Sequence, residues 1–458
     1  MTPKVAGRRI FPTEAAGMLA VILILRLLLV AVPLNFPEGG ILVDSEGYLR
    51  LARAIQETGS YRDPFKEDLY RPPGYPLFIA AARLGSGTAT WPVVLLQLIV
   101  SGVASLLLAG AAGRIGHPRV GMASAFIYAL SPAGCLWALT IMSETLFAFL
   151  LVLGVYLLMR FLQDGRHAWV GLAGLTLGVA SMVRPIGVFL IPVWAGILVV
   201  RGLRGRLRPV LTSAVVLVVA GSLPIATWMI RNAAVHGELV LSTVGTRTFY
   251  AFNLAVVMAE VHGITRDQAA TQIALSENPE GLAKEVITAH PVVFLAEQIR
   301  GVVRTLLGAE PRAWVRLFGV EGDASFGVIS SALSGDFGEA VRRAGQVLES
   351  PQTRLVAPLV ILAVLFSVAA FALAAAGVRH GLAKGGEFAT FTLIVTLTML
   401  YLVGVPGAAG QGRFRMQAEP LLAMLAGLGW VAVRTRGAGM NGGKLLRGLA
   451  KSILAKSR

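Results

Sequence analysis

Between Leu355 and Val378 the chain reads "LVAPLVILAVLFSVAAFALAAAGV", with no charged side chain anywhere in it. As a helix, a run of that length satisfies its own backbone and spans the hydrocarbon of a bilayer; in a water-soluble fold it would need burial on every side. "TLFAFLLVLGVYLLM" (Thr145 to Met159) and several other segments have the same character. A transmembrane barrel would alternate polar and apolar residues, and these segments do not. With 55% hydrophobic and only 14% charged residues, the composition excludes an ordinary soluble domain. The expected fold is an all-α polytopic membrane protein, a bundle of about ten transmembrane helices with amphipathic helices on its outer face.

Candidate spans lie near residues 14–34, 91–113, 119–138, 144–162, 168–183, 186–200, 209–230, 354–377, 387–405 and 418–434. The first lacks a small-x-small cleavage site and reads as an uncleaved span. "YPLFIAAARL" (Tyr75 to Leu84) is too short to cross and reads as a half-span or interfacial helix. With the N-terminus in the cytoplasm, alternation puts Lys4, Arg8, Arg9, Arg114, Arg119, Arg160, Arg166, Arg201, Arg204, Arg206, Arg208, Arg379 and Lys384 inside, opposed only by Glu14, Asp164 and Glu387. This positive-inside bias accounts for most of the net charge of +16 without nucleic acid. Both termini are expected in the cytoplasm of a cell whose inner (plasma) membrane holds the protein, with "GGKLLRGLAKSILAKSR" as a basic amphipathic helix on the anionic leaflet.

The expected division is 1–35 (tail and first span), 36–90 (first outer loop with a helix and the half-span), 91–230 (spans two to seven), 231–353 (a long outer loop), 354–434 (three further spans) and 435–458 (basic tail). In the long loop Val292, Leu295, Ile299, Val302 and Leu306 recur at helical spacing, while Glu297, Arg300 and Arg304 argue for a helix lying on the membrane. No soluble unit with a core of its own is expected. The lone cysteine, Cys135, excludes an intrachain disulfide and a cysteine-based metal site.

The same alternation puts every informative polar motif on the outer face. The first outer loop gathers seven acids and five bases between Glu38 and Arg71. Asp44 opens a helical pattern in which Tyr48, Leu51, Ala52 and Ile55 share a face, Glu46 with Arg50 and Arg53 with Glu57 pair at i,i+4, and Gly59 supplies the stop. Asp44 suits two roles, an N-cap or a reactive carboxylate. Glu46 beside it leaves room for a divalent cation held through oxygens, although none is required. Glu57, Asp63, Glu67 and Asp68 read as solvated.

Arg71 precedes "PPGYP", Arg184 precedes a proline between two spans, Arg231 ends a span, and Arg413 and Arg415 sit just before the last one. A guanidinium at a membrane boundary needs a partner. Each alone reads as snorkelling to lipid phosphate; five on the face that the charge rule leaves poor in bases point to a phosphorylated ligand, whose oxygens match guanidinium forks. Glu144 suits either orienting one of these arginines or a helix N-terminus capped by Ser143.

The order of these motifs, Asp44 and Tyr48, "RPPGYP", "SET", "VRP", "WMIRNAAVHGELVLST" and "GRFRMQAEPLLAMLAGLG", resembles the bacterial family 39 and family 83 glycosyltransferases, relatives of the protein O-mannosyltransferases and of the enzymes that put aminoarabinose on lipid A. The resemblance runs from Asp44 to Gly429. It implies a GT-C fold with an outward-facing cavity, a polyprenyl-phosphate-linked sugar as donor, and transfer with inversion to a lipid, glycan or protein acceptor. Carried over, the family's catalytic acid falls on Asp44 and the following aromatic on Tyr48. The proline-rich element falls on Arg71 to Pro76 with Tyr75, the Arg-Asn pair on Arg231 and Asn232, and the terminal Arg-aromatic on Arg413 and Phe414. The substrate-binding set expected is therefore Glu46, Tyr48, Arg71, Tyr75, Glu144, Arg184, Arg231, Asn232, Arg413 and Arg415. The match departs mainly between Arg247 and Pro351, where only "STVGTRTFYAFN" is loosely familiar.

The chemistry is coherent without the analogy. A polyprenyl phosphate leaves readily once arginines neutralise the charge it gains, and one carboxylate as general base can activate and align the acceptor. Asp44 is the choice. Against this stand a transporter or flippase of polyprenyl-linked glycans and a polymerase or ligase of such glycans. A transporter would show inverted repeats and polar residues at mid-membrane depth, where Arg26 is the main exception to an apolar interior.

Overall fold

The computed structural model describes residues 13–65, 67–115, 118–202, 207–319, 331, 335–349 and 351–435. Among them the regular structure is entirely helical, as an apolar chain requires where no water can satisfy an open backbone. Seven helices among the described residues are long and apolar enough to cross a membrane: Ala16–Asn35, Trp91–Arg114, Glu144–Asp164, Pro185–Gly202, Pro209–His236, Val356–Lys384 and Gly386–Gly404. The expected span at 119–138 is broken, with Pro118–Ala129 and Pro132–Leu139 meeting at 53°. Ser131 caps the second piece, its Oγ accepting the Gly134 N–H at 3.1 Å, and Pro132 cannot extend the first. The other two expected spans are the shorter helix His167–Val183 and helical residues 419–435. The expectations for Lys4, Arg8, Arg9, Arg204, Arg206 and the basic tail lie outside the described residues.

Backbone-to-backbone contact through glycine joins the spans. In "GLTLG" a Cβ at Gly174 or Gly178 would strike the carbonyls of Leu217 and Gly221, and Gly377 and Gly429 meet the carbonyls of Leu425 and Leu373 in the same way. Lipid supplies no hydrophobic drive between helices, so close approach and its dispersion contacts carry the association. The interior holds more polar groups than expected. Buried Gln97 donates to the Ala138 and Thr140 carbonyls at 3.0 and 2.8 Å, Glu419 is paired with Arg415, and Arg26 is buried 5.6 Å from the Tyr128 ring centroid.

The long segment 231–353 differs from expectation in one way. Helices Ala255–His262, Arg266–Leu275 and Pro279–Ala289 close a second small core around Leu254, Val257, Met258, Ile273 and Val286, so the segment does have a core of its own. Each helix supplies too few apolar positions to announce it alone. The helix Pro291–Leu307 exposes Val292, Leu295 and Ile299 and buries Glu297, Gly301 and Thr305. That is the inverse of a soluble amphipathic helix and suits a lipid-facing surface.

This helix also sets the position of the "GRFR" segment. A Cβ at Gly301 would collide with the Gly407 carbonyl, one at Gly412 with the Gly308 carbonyl, and Arg304 Nη2 donates to the Ala408 carbonyl at 2.8 Å. Gly301→Ala is therefore expected to lower stability by about 1–3 kcal/mol through overpacking, read as a fall in unfolding temperature in detergent. Gly404→Ala, where a Cβ meets nothing within 4 Å, is expected to leave it unchanged.

Candidate functional site

Four turns far apart in sequence converge: the first loop (36–90), "MSET", "VRP" and "GRFR". Their side chains line a cavity of about 630 Å³. Asp44 is the second residue of the helix Val43–Thr58, whose N-cap is Leu42. Ser45 serves that terminus, its Oγ accepting the Leu42 N–H at 2.9 Å and donating to the Ile141 carbonyl at 2.8 Å. Of its two expected roles, Asp44 thus does not fill the N-cap. Its carboxylate instead bridges two arginines: Oδ1 accepts from Arg71 Nη2 at 3.4 Å and Oδ2 from Arg413 Nη1. Burial raises the Asp44 pKa, but Arg413 and then Arg71 lower it by more, holding it below the ordinary 3.8. Asp44 is therefore ionised at neutral pH. Its ion pairs stabilise the fold above the unfolded carboxylate value of about 3.9 and are lost as pH falls through the lower folded one.

Each arginine is held from behind. Arg71 Nε donates to Glu67 Oε2 at 2.8 Å, and its guanidinium lies 4.2 Å from the Tyr48 ring centroid. Arg184 Nη1 donates to Ser143 Oγ at 2.9 Å and lies 2.8 Å from Oε1 of fully buried Glu144. Ser143 thus serves Arg184 and makes no side-chain cap on the helix it precedes. Arg413 donates its backbone N–H to Glu310 Oε1 at 3.2 Å, while its Nε is buried without a hydrogen-bond partner. Glu310 is the one non-glycine with positive φ among the described residues, at 49°, a conformation such residues seldom adopt.

Of the expected residues, Asp44, Tyr48, Arg71, Arg184 and Arg413 line the cavity. Glu144 lies under Arg184, and buried Tyr75 packs edge-on against Tyr48 and donates to Gln97 Oε1 at 2.7 Å. Glu46 is exposed. Arg231 and Asn232 belong to a separate knot. Arg231 Nη2 donates to Asp68 Oδ2 at 2.9 Å, His236 Nε2 lies 2.8 Å from the same oxygen, and Asn232 Nδ2 donates to the Val240 carbonyl at 2.8 Å. Arg415 is buried against Glu419, at 2.9 Å, and the Leu306 carbonyl. Asp63, Glu67 and Asp68 are therefore paired rather than solvated, and Arg50 meets Asp63 at 2.9 Å in place of Glu46, because the loop folds back on its own helix.

The opposite wall comes from residues that the motifs left unassigned: Thr248, Phe249, Phe252 and Asn253, with Gln298, Tyr401 and Gln417. Phe249–Leu254 is a π-helical turn, a form that collects at functional sites. "STVGTRTFYAFN" contains Thr248 to Asn253 and "GRFRMQAEPLLAMLAGLG" contains Gln417; Gln298 and Tyr401 had no signal. Among the described residues no three His, Cys, Asp or Glu gather to hold a metal. With Asp44 facing two guanidiniums and Glu46 exposed, that pair does not fit a divalent cation.

Residues 70–228 match the family model described as dolichyl-phosphate-mannose-protein mannosyltransferase. Among solved structures, the oligosaccharyltransferase AglB of Archaeoglobus fulgidus, in complex with an inhibitory peptide and a dolichol-phosphate, is 15% identical with a TM-score of 0.51, over 93% of this chain and 51% of that one. The chain has a GT-C fold. The same archaeal enzyme in complex with Zn and sulfate aligns at 16% identity and a TM-score of 0.52, over 94% and 51% of the two chains. ArnT from Cupriavidus metallidurans bound to undecaprenyl phosphate gives 16% identity and a TM-score of 0.41, over 90% and 77%. The chain spans about half the length of the archaeal enzyme. No curated protein matches it. The segment matched by the family model contains Arg71 and Arg184 and leaves Asp44 and Arg413 outside.

The Asp68 knot joins the first loop to the end of the Pro209–His236 span, apart from the cavity. Asp68→Asn is expected to lower the unfolding free energy by about 1–3 kcal/mol through loss of a buried charge-assisted bond, measured as thermal unfolding in detergent. Glu46→Gln, at an exposed position, is expected to change it by under about 0.5 kcal/mol.

Proposed function

We propose that the protein is a membrane glycosyltransferase that moves a sugar from a polyprenyl-phosphate donor to an acceptor at the outer face, with inversion. The observation that carries this reading is Asp44 bridging Arg71 and Arg413 on the wall of a cavity otherwise rich in aromatic and aliphatic side chains. The lipid phosphate takes Arg413 and Arg184. Arg413 has an unpartnered Nε to offer, and Arg184 is braced by Glu144 and Ser143. Val188, Phe189, Tyr401 and Val405 supply an apolar wall for the prenyl chain.

In the transfer step the acceptor oxygen or nitrogen attacks the anomeric carbon and its proton passes to Asp44. The bond from that carbon to the phosphate oxygen breaks, and its electron pair stays on the phosphate, where the arginines neutralise the added charge. The donor phosphate competes with Asp44 for Arg413. Its arrival therefore relaxes what depresses the Asp44 pKa and makes the carboxylate a better base when a substrate is present. Similarity of fold to an enzyme solved with dolichol-phosphate supports the donor class. The positive-inside bias supports an outward-facing site with both termini in the cytoplasm, in the inner membrane. Tyr75, Arg231, Asn232 and Arg415 act in this reading by holding the loops that carry the cavity residues. The acceptor is a lipid, glycan or protein.

Two outcomes follow. Asp44→Asn removes the base and frees two arginines. Transfer is expected to fall roughly 10²- to 10⁴-fold while undecaprenyl phosphate binds at least as tightly as to the wild type; near-normal transfer removes Asp44 as the base. In the wild type, kcat/KM reports the free enzyme and kcat the donor complex. The acid limb of kcat is expected at higher pH than that of kcat/KM, which falls only below about pH 4. Coincident limbs, or the reverse order, contradict a base shared with the phosphate site.

A further inference from the structure

Besides its arginines the cavity carries a set of amides that the transfer chemistry does not use. Gln417 is fully buried where it lines the cavity, and neither its Nε2 nor its Oε1 has a hydrogen-bond partner. Gln298 accepts the Ala408 N–H on Oε1 at 3.1 Å, and its Nε2 is buried without a partner. Asn253, on the π-helical turn, lines the same wall, and Gln298 Oε1 and Asn253 Oδ1 both come close to Gly407. Buried amides left unpaired disfavour the empty state, so their retention on a cavity wall calls for a ligand that supplies donors and acceptors together. Hydroxyl groups do both.

The charges on the wall narrow the ligand further. Among the residues lining the cavity, Asp44 is the single carboxylate, and two arginines already share it. Glu144 is buried against Arg184, and Glu67 is held by Arg71. A donor with a cationic amino group on its sugar would find three guanidiniums and a single carboxylate on the wall, Asp44, which the transfer step needs as its base.

We propose that the transferred group is an uncharged polyhydroxylated sugar whose hydroxyls are read by Gln417, Gln298 and Asn253, and that sugars with a cationic amino group are excluded. This rests on the polyprenyl-phosphate donor reading above. The three amides determine which donor is accepted; the arginines hold the lipid phosphate that all such donors share. A wall built to bond hydroxyls discriminates strongly, because an analogue lacking them leaves its buried groups unpaired.

The test measures dissociation constants of the full-length protein in lipid nanodiscs for undecaprenyl phosphate, undecaprenyl phosphoryl mannose and undecaprenyl phosphoryl aminoarabinose. In the wild type the mannosyl lipid is expected to bind at least about tenfold tighter than bare undecaprenyl phosphate, and the aminoarabinosyl lipid no tighter than the bare lipid. Gln417→Leu and, independently, Gln298→Leu are expected to abolish most of the mannosyl gain while leaving affinity for bare undecaprenyl phosphate within about threefold of the wild type. Gln298 is only partly buried, so its variant answers the question even where the Gln417 variant fails to fold. A mannosyl gain that survives these substitutions, or an equal gain with aminoarabinose, overturns the sugar assignment alone. Failure of bare undecaprenyl phosphate to bind at all overturns the donor reading and this inference with it.

Discussion

One carboxylate shared by two guanidiniums holds the functional end of this molecule together. Asp44, Arg71 and Arg413 come from the first loop, its return to the bundle, and the segment before the last helix, so the bridge closes the chain across nearly its whole length. Neither arginine could sit at a membrane boundary without such a counterion. Each is also braced by a neighbour that does not line the cavity, Glu67 for Arg71 and Glu310 for the Arg413 backbone, and Tyr48 on the wall packs against Arg71. The glycines at 301, 308, 407, 410 and 412 let the Pro291–Leu307 helix press on the "GRFR" segment without side chains between, which fixes where Arg413 can stand. A bridge of this kind is a store of competing interactions. An anion that binds the arginines must weaken their hold on Asp44, so binding of a phosphate and basicity of the carboxylate are linked through the same atoms.

The long spans were legible because the bilayer dictates their length and excludes charge, and little else decides them. The break at Ser131–Pro132 was not, since a proline within an apolar run is equally compatible with a kinked span. Periodicity puts Val292, Leu295 and Ile299 on one side of Pro291–Leu307 and Glu297 and Arg304 on another, and the structure exposes the first side and buries Glu297. Pattern fixes a face; the surrounding solvent fixes its direction.

At the site, motif order pointed to the segments that meet but could not separate residues within them. Arg413 reaches the cavity while Arg415, two positions later in a four-residue helical turn, is buried against Glu419. No periodicity exists in so short an element to tell them apart. Asp68 read as solvated because its partners, Arg231 and His236, lie far along the chain. The amides were hidden for the opposite reason: Asn253 and Gln417 sit inside quoted motifs without a role, and Gln298 in a helix looks like an ordinary polar position until the fold brings all three to one cavity.

The most direct measurement is an experimental structure of the full-length protein in nanodiscs with undecaprenyl phosphate. The account predicts the phosphate within hydrogen-bond distance of both Arg413 and Arg184, with the Asp44 contact to Arg413 lengthened or broken and the prenyl chain along Val188, Phe189, Tyr401 and Val405. Phosphate bound elsewhere, or an Asp44–Arg413 pair unchanged with the lipid in place, would contradict it.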